Sequence, residues 1–408
     1  MKRLAVLCDG TGNEISENIS NVLKLYRVLR KTEKTEPRQL VYYDSGVGTL
    51  AQPNPWRRLL QDAQSVFGLA TGYGLDENVL DAYKFLAKNY QEDDEIYLFG
   101  FSRGAHTVRV LAALIHKVGL LSIEQCNLCG AALTAYKQFG VDLEQKDGSD
   151  TSSRDDKAAQ FARIASTRWP TIKFLGVWDT VASVITPRPD RLYIPSLQSL
   201  AFTLENPSVE NFRQAIAIDE RRRMFRLEPW KEGQEFHTNR FSKTNNSKKQ
   251  NCIQVWFAGV HADIGGGYPE NESAMSKYPL LWMIEEAQKS GLDVNTATVN
   301  QLAWGIPRKG SPFEYVAPSV NGDLHDSMNL VWRALEILPK NAKYREWPTR
   351  DISLGFYWPL CEPRAIAEGA LIHESVFLRM SAVESYRPKN LPRNYQVVPM
   401  PAQGQSLA

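Results

Sequence analysis

The chain has 408 residues, of which 43% are hydrophobic, so it is long enough to bury a large core around one sheet. Its 48 lysine and arginine residues nearly balance 46 aspartate and glutamate residues, which leaves a formal net charge of +2. A nearly neutral chain lacks the long-range field that would hold it on nucleic acid, so we expect no nucleic-acid partner. No apolar stretch approaches the roughly 20 residues that span a bilayer, so any membrane contact is expected to be peripheral.

The first elements of the chain alternate between strand and helix patterns. Residues 3–8 form a short apolar run that stops at a glycine-rich turn, which predicts a buried strand entering a tight loop. This run is shorter than the roughly seven or more apolar residues of a secretory signal. We therefore expect a cytoplasmic protein in the producing cell, with export that needs no cleavable signal left open. Residues 21–30 have helical spacing, and residues 40–43 predict a second strand.

Residues 56–67 carry an amphipathic pattern, with apolar side chains at i, i+3, i+4 and i+7. We expect this helix either to pack on the sheet or to form a lid over a binding site. Residues 75–89 and 105–118 are helical in pattern, and residues 95–101 between them predict a strand. A strand, a turn and a helix therefore follow one another around residue 102.

Residues 172–178 and 253–260 predict two further strands, each followed by a polar residue. Polar segments near 143–158 and 231–250 are expected to be inserted cap or loop segments. Strands that are apolar on both faces and alternate with helices predict an α/β fold, with a mostly parallel central sheet and helices on both faces. We expect one domain over residues 1–380.

The residues after Arg387 are rich in proline, so we expect 381–408 to form an extended C-terminal tail. The five cysteines form an odd set in a large chain, which favours a reducing compartment over a disulfide framework. Cys126 and Cys129 have the spacing of half a zinc site, but no second pair follows them. We therefore expect ordinary helix or loop cysteines and no metal.

The sequence Gly100-Phe101-Ser102-Arg103-Gly104 fits the G-x-S-x-G pattern of a nucleophile elbow. In that turn a strained serine lies between a strand and a helix, and side chains at the glycine positions would collide with neighbouring backbone. The five-residue pattern is weak by itself. Here it lies between a strand pattern and an alanine-rich helix pattern, so we predict that Ser102 is a nucleophile of the α/β-hydrolase fold.

A serine hydroxyl needs a base to remove its proton as it attacks. Of the six histidines, His261 follows a strand pattern and opens a glycine-rich loop, which is where this fold holds its base. The base in turn needs an acid that orients it. Asp179 ends another strand pattern, and the chain order Ser102, Asp179, His261 is the order of the fold. Asp219 and Asp263 remain competitors for the acid.

The oxyanion hole needs two backbone N–H groups aimed at the developing charge. We expect one from Arg103, the residue after the nucleophile. The second is expected from the glycine-rich turn after the first strand, at Gly10 or Thr11. Such a chemistry requires no cofactor. Asp9 and Asp263 are further candidates to lie close to the site.

Other enzyme classes fit the sequence less well. The Asp9-Gly10-Thr11 turn also occurs in phosphate-handling folds, but a haloacid-dehalogenase phosphatase would need an aspartate where this chain has Leu7. A sugar-kinase or actin-like fold would leave the elbow and the His261 loop unexplained, and no Walker A motif is present. An esterase for small soluble substrates and a catalytically silent hydrolase-fold binding module remain open.

Several motifs together resemble the bacterial and fungal α/β-hydrolase domain that is shared with the first subclass of type VI secretion lipase effectors. The resemblance covers about residues 1–380 and rests on LCDGTGN, GLDENVLDAYKFL, GFSRGA, FLGVWDTV, AIAIDERRRMFRLEPW, GVHADIGGGY and IHESV.

The resemblance implies a Ser-Asp-His triad on Ser102, Asp179 and His261, and phospholipase or esterase activity on glycerolipid acyl chains. It implies a lipid or small ester substrate, peripheral membrane contact, and an immunity or secretion partner. The charged run Asp219 to Arg223 is a signature of the family, and we expect it to form a buried ion-pair network. The chain lacks the long insertions of the larger secreted effectors, so the resemblance leaves its delivery route open.

Overall fold

The computed structural model describes residues 1–10, 18–46, 74–145, 157–181, 185–187, 195–197, 202–238, 248–342, 345–347 and 354–401. The strands of these residues are, in chain order, β1 Arg3–Cys8, β2 Gln39–Asp44, β3 Glu95–Phe101, β4 Ile172–Trp178, β5 Ile185–Pro187, β6 Pro195–Leu197, β7 Val209–Ala217, β8 Glu235–Phe236, β9 Lys248–Lys249, β10 Asn251–Phe257, β11 Lys340–Asn341, β12 Phe356–Tyr357, β13 Ala370–His373 and β14 Tyr395–Val398.

The central sheet has eight strands in the order β14-β13-β10-β7-β4-β3-β1-β2. All neighbouring strands in it pair in parallel. Strands β1, β3 and β4 are buried over most of their length, which is why they stand out in the sequence as continuous apolar runs. The remaining strands form three short antiparallel pairs, β5 with β6, β8 with β9, and β11 with β12.

Helices cover both faces of this sheet. They are α1 Asn21–Val28, α2 Leu75–Asn89, α3 Arg103–Val118, α4 Cys129–Gln145, α5 Lys157–Ala165, α6 His261–Gly265, α7 Lys277–Lys289, α8 Thr296–Leu302, α9 Leu330–Ile337 and α10 Glu374–Ala382. Ala5 and Leu7 of β1 pack in one core with α1, α7 and α8, whereas Leu4 and Val6 pack in a second core with α2 to α5. Alternate side chains of one strand thus reach opposite faces.

The architecture confirms the predicted α/β fold with a parallel central sheet and helices on both faces. It differs from prediction at the C-terminus, because β14 lies in the segment expected to be a tail and pairs with β13 as the edge strand of the main sheet. The boundary at residue 380 therefore does not separate this segment from the sheet. Strand β7 also joins the centre of the sheet, where the sequence predicted no strand.

Several other predictions concern particular segments. The amphipathic pattern at 56–67 and most of the polar insertions lie outside the described residues. The five cysteines are free, and Cys126 lies in the 3₁₀ helix Ile123–Leu128 that precedes Cys129, the first residue of α4. Among the helices described, none combines the length and apolar character needed to cross a membrane.

Candidate active site

Ser102 lies in a sharp turn between β3 and α3. Its backbone has φ 56° and ψ −121°, a conformation that non-glycine residues rarely adopt and that typically costs about 1–3 kcal/mol. The Ser102 N–H donates to the carbonyl oxygen of Trp178 at 3.1 Å, and the serine carbonyl accepts from His106 N–H at 3.3 Å. The turn is thus anchored to β4 on one side and to the first turn of α3 on the other.

The two glycines of the elbow are required by close backbone contacts. A Cβ on Gly100 would lie 2.4 Å from the Gly104 carbonyl oxygen. A Cβ on Gly104 would lie 2.0 Å from the carbonyl oxygen of Cys8, at the end of β1. Both distances are shorter than any real contact of a Cβ atom, so the expected collision with neighbouring strand and helix backbone is confirmed.

Asp179 and His261 form a buried hydrogen-bonded pair. Asp179 follows β4 and is fully buried, and His261 opens α6 and is 5% exposed. Asp179 Oδ2 lies 2.5 Å from His261 Nδ1. The rings of Phe101 and Phe225 flank the imidazole, with centroids 4.7 and 4.9 Å away. Since Nδ1 faces the carboxylate, Nε2 is the imidazole nitrogen left for other chemistry.

The backbone around this pair fixes its position. The Asp179 N–H donates to the carbonyl oxygen of Ala215 on β7 at 2.8 Å, and the Ala217 N–H donates to Asp179 Oδ1 at 3.0 Å. The His261 N–H donates to Glu220 Oε2 at 3.2 Å. Strand β7, which lies between β4 and β10, therefore contacts the aspartate, and Glu220, three residues after its end, contacts the histidine.

Arg364 makes a two-point ion pair with the same aspartate. Its Nη1 lies 2.5 Å from Asp179 Oδ1 and its Nη2 lies 3.1 Å from Oδ2. Burial alone would raise the pKa of Asp179, but the Arg364 charge and the hydrogen bond with His261 outweigh it and hold that pKa well below its usual range. The carboxylate is therefore ionised throughout the physiological range of pH.

The three residues predicted as a triad thus follow three strands of one parallel sheet. Ser102 follows β3, Asp179 follows β4, and His261 lies four residues after β10. Phe101, which precedes Ser102, pairs with Trp178, which precedes Asp179, so the two candidate residues follow neighbouring strands at the same level of the sheet. Carboxyl ends of parallel strands meet at one edge of a sheet, which is where ligands bind in open α/β folds.

The other aspartates considered have different partners. Within the described part of the chain, Asp219 accepts from Gly259 N–H and from the Tyr386 hydroxyl. Asp263 Oδ2 accepts from Val260 N–H, and its Oδ1 lies 2.6 Å from His325 Nδ1. Asp179 is therefore the candidate acid that contacts His261.

The predicted oxyanion donors lie close to the elbow. Arg103 is the first residue of α3, directly after Ser102. The Gly10 N–H donates to Asp9 Oδ1 at 2.7 Å, so binding an oxyanion would require this bond to be shared or broken. Thr11 lies outside the described residues. The Asp9 carboxylate also accepts from the hydroxyls of Ser20 and Tyr43, which ties the end of β1 to α1 and β2.

The charged run Asp219 to Arg223 forms two separate ion pairs rather than the single buried network that we expected, and Arg221 is exposed. Glu220 is fully buried and pairs with Arg222 at 2.8 Å, and Arg223 pairs with Glu346 at 2.7 Å. Burial opposes ionisation of Glu220, but the Arg222 charge lowers the pKa of that carboxyl to about 2. Glu220 thus holds the backbone of the histidine loop as a charged acceptor.

Sequence reasoning missed Arg364 and the contact between Glu220 and His261. Arg364 lies in an irregular segment between β12 and β13 that has no strand or helix pattern, so no sequence signal pointed to it. Across the residues that the structure describes, no group of three or more His, Cys, Asp or Glu side chains is arranged to hold a metal ion.

Comparison with known proteins shows which protein family this chain resembles. The family model described as "T6SS, Phospholipase effector Tle1-like, catalytic domain" matches residues 2–286. A Saccharomyces cerevisiae protein, uncharacterized protein YEL023C, is 34% identical over 228 residues, which are 54% of this chain and 32% of that protein. The chain thus spans about a third of the length of this curated relative.

Two solved structures have weaker similarity. A crystal structure of an uncharacterized protein from Pseudomonas aeruginosa has 18% identity and a TM-score of 0.37, and the alignment covers 72% of this chain and 46% of that one. A structure of the Tle1 effector bound to the VgrG spike from the type 6 secretion system has 19% identity and a TM-score of 0.36, with 67% and 52% covered. Because the family model spans more than half of the chain, this protein belongs to the family of type VI secretion system Tle1-like phospholipase effector catalytic domains.

Proposed function

We propose that this protein is a serine hydrolase that cleaves the acyl esters of glycerophospholipids, with Ser102 as nucleophile, His261 as base and Asp179 as its acid partner. The observation that carries the proposal is the buried contact of 2.5 Å between Asp179 and His261. It lies at the same edge of the sheet as a serine held in a strained elbow. Such a constellation supports acyl transfer, whichever fold carries it.

The first step forms an acyl-enzyme. The Ser102 hydroxyl oxygen attacks the ester carbonyl carbon while His261 Nε2 takes the hydroxyl proton, and Asp179 stabilises the resulting imidazolium through Nδ1. The backbone N–H of Arg103, with a second amide from the turn after β1, would stabilise the oxyanion. His261 then protonates the leaving alcohol. In the second step water, deprotonated by His261, attacks the acyl carbon; the bond to Ser102 breaks, His261 returns the proton to the serine oxygen, and the fatty acid leaves.

A lipid substrate is supported by an apolar surface next to the site, here called the apolar rim. It consists of large aliphatic side chains that are 52–95% exposed: Leu330, Ile337, Leu338, Leu354 and Leu360. Leu330 and Ile337 are seven residues apart and share the outer side of α9. Monomeric soluble proteins rarely expose such clusters unless they contact a partner or a membrane.

The apolar rim is joined to the site through two aromatic contacts. Trp332, on the buried side of α9, packs edge-on against Phe225 with centroids 5.6 Å apart. Phe225 in turn packs against His261 at 4.9 Å. A bilayer on the outer side of α9 would therefore be separated from the proposed catalytic histidine by α9 and the Phe225 ring.

The partners and location follow from the same proposal. A membrane-active hydrolase needs a lipid surface, an inhibitor in the cell that makes it, and a route out if its target is another cell. We propose peripheral membrane contact, a secretion-system or immunity partner, and residence in the cytoplasm of the producing cell, with its export left open. The family of the chain supports the first two.

The test is acyl release from phospholipid vesicles and from short p-nitrophenyl esters by the native chain and by Ser102→Ala. A control variant, Ser381→Ala, removes a hydroxyl on the exposed part of α10. We expect Ser102→Ala to lose several orders of magnitude in turnover on both substrates, by analogy with other triads. Reaction with a fluorophosphonate, which phosphonylates activated serines, should label the native chain at Ser102.

Each other outcome contradicts a particular part of the proposal. Hydrolysis of short esters alone would retain the triad and refute the phospholipid substrate. Full activity in Ser102→Ala would refute the nucleophile. A native chain that neither hydrolyses these esters nor reacts with fluorophosphonate would support a binding module.

A further inference from the structure

Arg364 is buried beside the proposed triad although it lies far along the chain. It is 3% exposed and 185 residues away from Asp179 in sequence. Beyond its two contacts with Asp179, its Nη2 donates to the Phe225 carbonyl oxygen at 2.6 Å and its Nη1 to that of Ala217 at 3.3 Å. Its guanidinium is therefore fixed by β7 and by the loop that carries the aromatic neighbour of His261.

We propose that Arg364 is a positioning residue of the triad, which fixes the Asp179 carboxylate toward His261 and sets the pH range in which His261 acts as a base. This inference rests on the proposed function, because it concerns the reactivity of the same serine. It also extends the site beyond the part of the chain that matches the family model, which ends at residue 286.

The orienting effect follows from the hydrogen bonds of the carboxylate. Oδ1 accepts from Arg364 Nη1 and Ala217 N–H, and Oδ2 contacts Arg364 Nη2 and His261 Nδ1. A planar guanidinium that bonds both oxygens stops the carboxylate from rotating about its Cβ–Cγ bond. Without it, one backbone N–H and the imidazole alone would define the plane of the acid.

The electrostatic effect follows from the charges around the imidazole. Asp179 is paired with Arg364, and Glu220, which accepts from the His261 N–H, is paired with Arg222.

Farther along the histidine loop, Asp263 faces His325, and Asp219 bonds Gly259 N–H. Loss of the Arg364 charge leaves Asp179 as an uncompensated anion against the imidazole. The imidazolium is then stabilised, so the base is blocked by protonation up to a higher pH. A charge at this distance shifts the pKa of a neighbouring group by about one unit or more.

The test compares Arg364→Gln with the native chain through the rate at which a fluorophosphonate labels Ser102 between pH 5 and pH 9. We expect the acidic limb of the profile to move up by about one pH unit and the plateau rate to fall at least about tenfold. The matched control is Arg213→Gln, which breaks another buried ion pair of β7, with Glu286 at 2.6 Å. Among the described residues, Arg213 bonds Glu286, Phe212 and Asn251 and none of the triad, so the acidic limb of Arg213→Gln should stay in place even if stability falls.

A limb that does not move in a folded Arg364→Gln protein would overturn the inference. If Arg364→Gln does not fold, Arg364→Lys takes its place, because it keeps the charge and loses the two-point contact. We expect the Lys variant to keep the native limb and to lose plateau rate. A Lys variant with the native plateau would show that the arginine does not position the acid.

A second readout separates this inference from the proposed function. If the native chain is not labelled at all, the proposed serine hydrolase fails. NMR titration of the His261 ring in Ser102→Ala, with and without Arg364→Gln, then measures the effect of Arg364 without any reaction. The titration midpoint should rise by about one pH unit when Arg364 is replaced. Coinciding midpoints would overturn the role of Arg364 even if the enzyme is active.

Discussion

Replacement of Gly104 by alanine would measure how strongly the elbow depends on the close approach of α3 to β1. The added Cβ would lie 2.0 Å from the Cys8 carbonyl oxygen and 2.5 Å from that of Asp9. Both are backbone atoms, so no side-chain rotation relieves the clash. Since Cβ atoms essentially never approach other heavy atoms within 3.0 Å, the start of α3 must move by about 1 Å away from β1.

Ser102 precedes α3 directly, so this shift displaces the proposed nucleophile from His261. A displacement of about 1 Å at a reacting group can cost roughly 100-fold in rate. We expect fluorophosphonate labelling of Gly104→Ala to slow by about that factor. Overpacking of a close contact also costs about 1–3 kcal/mol, which urea unfolding would measure as a lower free energy of unfolding.

Gly130 provides a matched control. It is the second residue of α4, as Gly104 is of α3, and a Cβ there meets nothing within 4 Å. Gly130→Ala should label at the native rate and gain about 0.5–1 kcal/mol from helix propensity. If Gly104→Ala labelled at the native rate and matched Gly130→Ala in stability, the close approach would have no role in positioning Ser102.

Three further predictions concern neighbouring parts of the site. Burial raises the pKa of Asp219 to about 6, so its contribution to stability is lost as the pH rises from about 4 through about 6. The free energy of unfolding of Asp219→Asn should therefore exceed that of the native chain at pH 8, by up to about 3 kcal/mol, and should equal it near pH 3. Urea unfolding at both pH values measures this difference. A variant that is less stable than the native chain at pH 8 would contradict the prediction. Glu220 should behave in the opposite way, because burial is outweighed by its paired arginine and its pKa falls to about 2. Glu220→Gln should lower the free energy of unfolding by about 3 kcal/mol at pH 7, and this loss should shrink as the pH falls from about 4.5 through about 2. A loss of stability that is constant with pH would argue against the ion pair as its cause. Replacement of both Leu330 and Ile337 by serine should lower the rate of hydrolysis of vesicle phospholipids at least about tenfold and leave the rate on short esters unchanged. The control Ile164→Ser, at an 80% exposed position of α5, should change neither rate. An equal loss of rate on both substrates would refute membrane contact by the apolar rim.

The candidate site was predictable where chemistry follows a buried strand. Ser102, Asp179 and His261 each come at or shortly after the end of an apolar run, and such runs are visible because strands of a parallel sheet are buried on both faces. The elbow added a second signal, since its glycines are required by contacts with neighbouring backbone. The catalytic roles of these residues stay predictions until Ser102 is tested.

Strand β7 was not predictable in the same way. It contains Arg213 and Gln214, which are buried and therefore break the apolar run. Their burial depends on partners distant in sequence, since Arg213 pairs with Glu286 and Gln214 accepts from Arg109. A buried polar side chain is recognised only when its partner is known, and sequence patterns do not supply that partner.

Arg364 was missed because it lies in an irregular segment without a strand or helix pattern, and its position has a consequence for biosynthesis. The ribosome synthesises Ser102, Asp179 and His261 before Arg364. It also synthesises them before β13 and β14, which complete the sheet. Burial of the Asp179 carboxylate before Arg364 is present would leave a buried anion without its cation, which is strongly unfavourable. The candidate site is therefore complete only once the segment that carries Arg364 and the two edge strands have been synthesised.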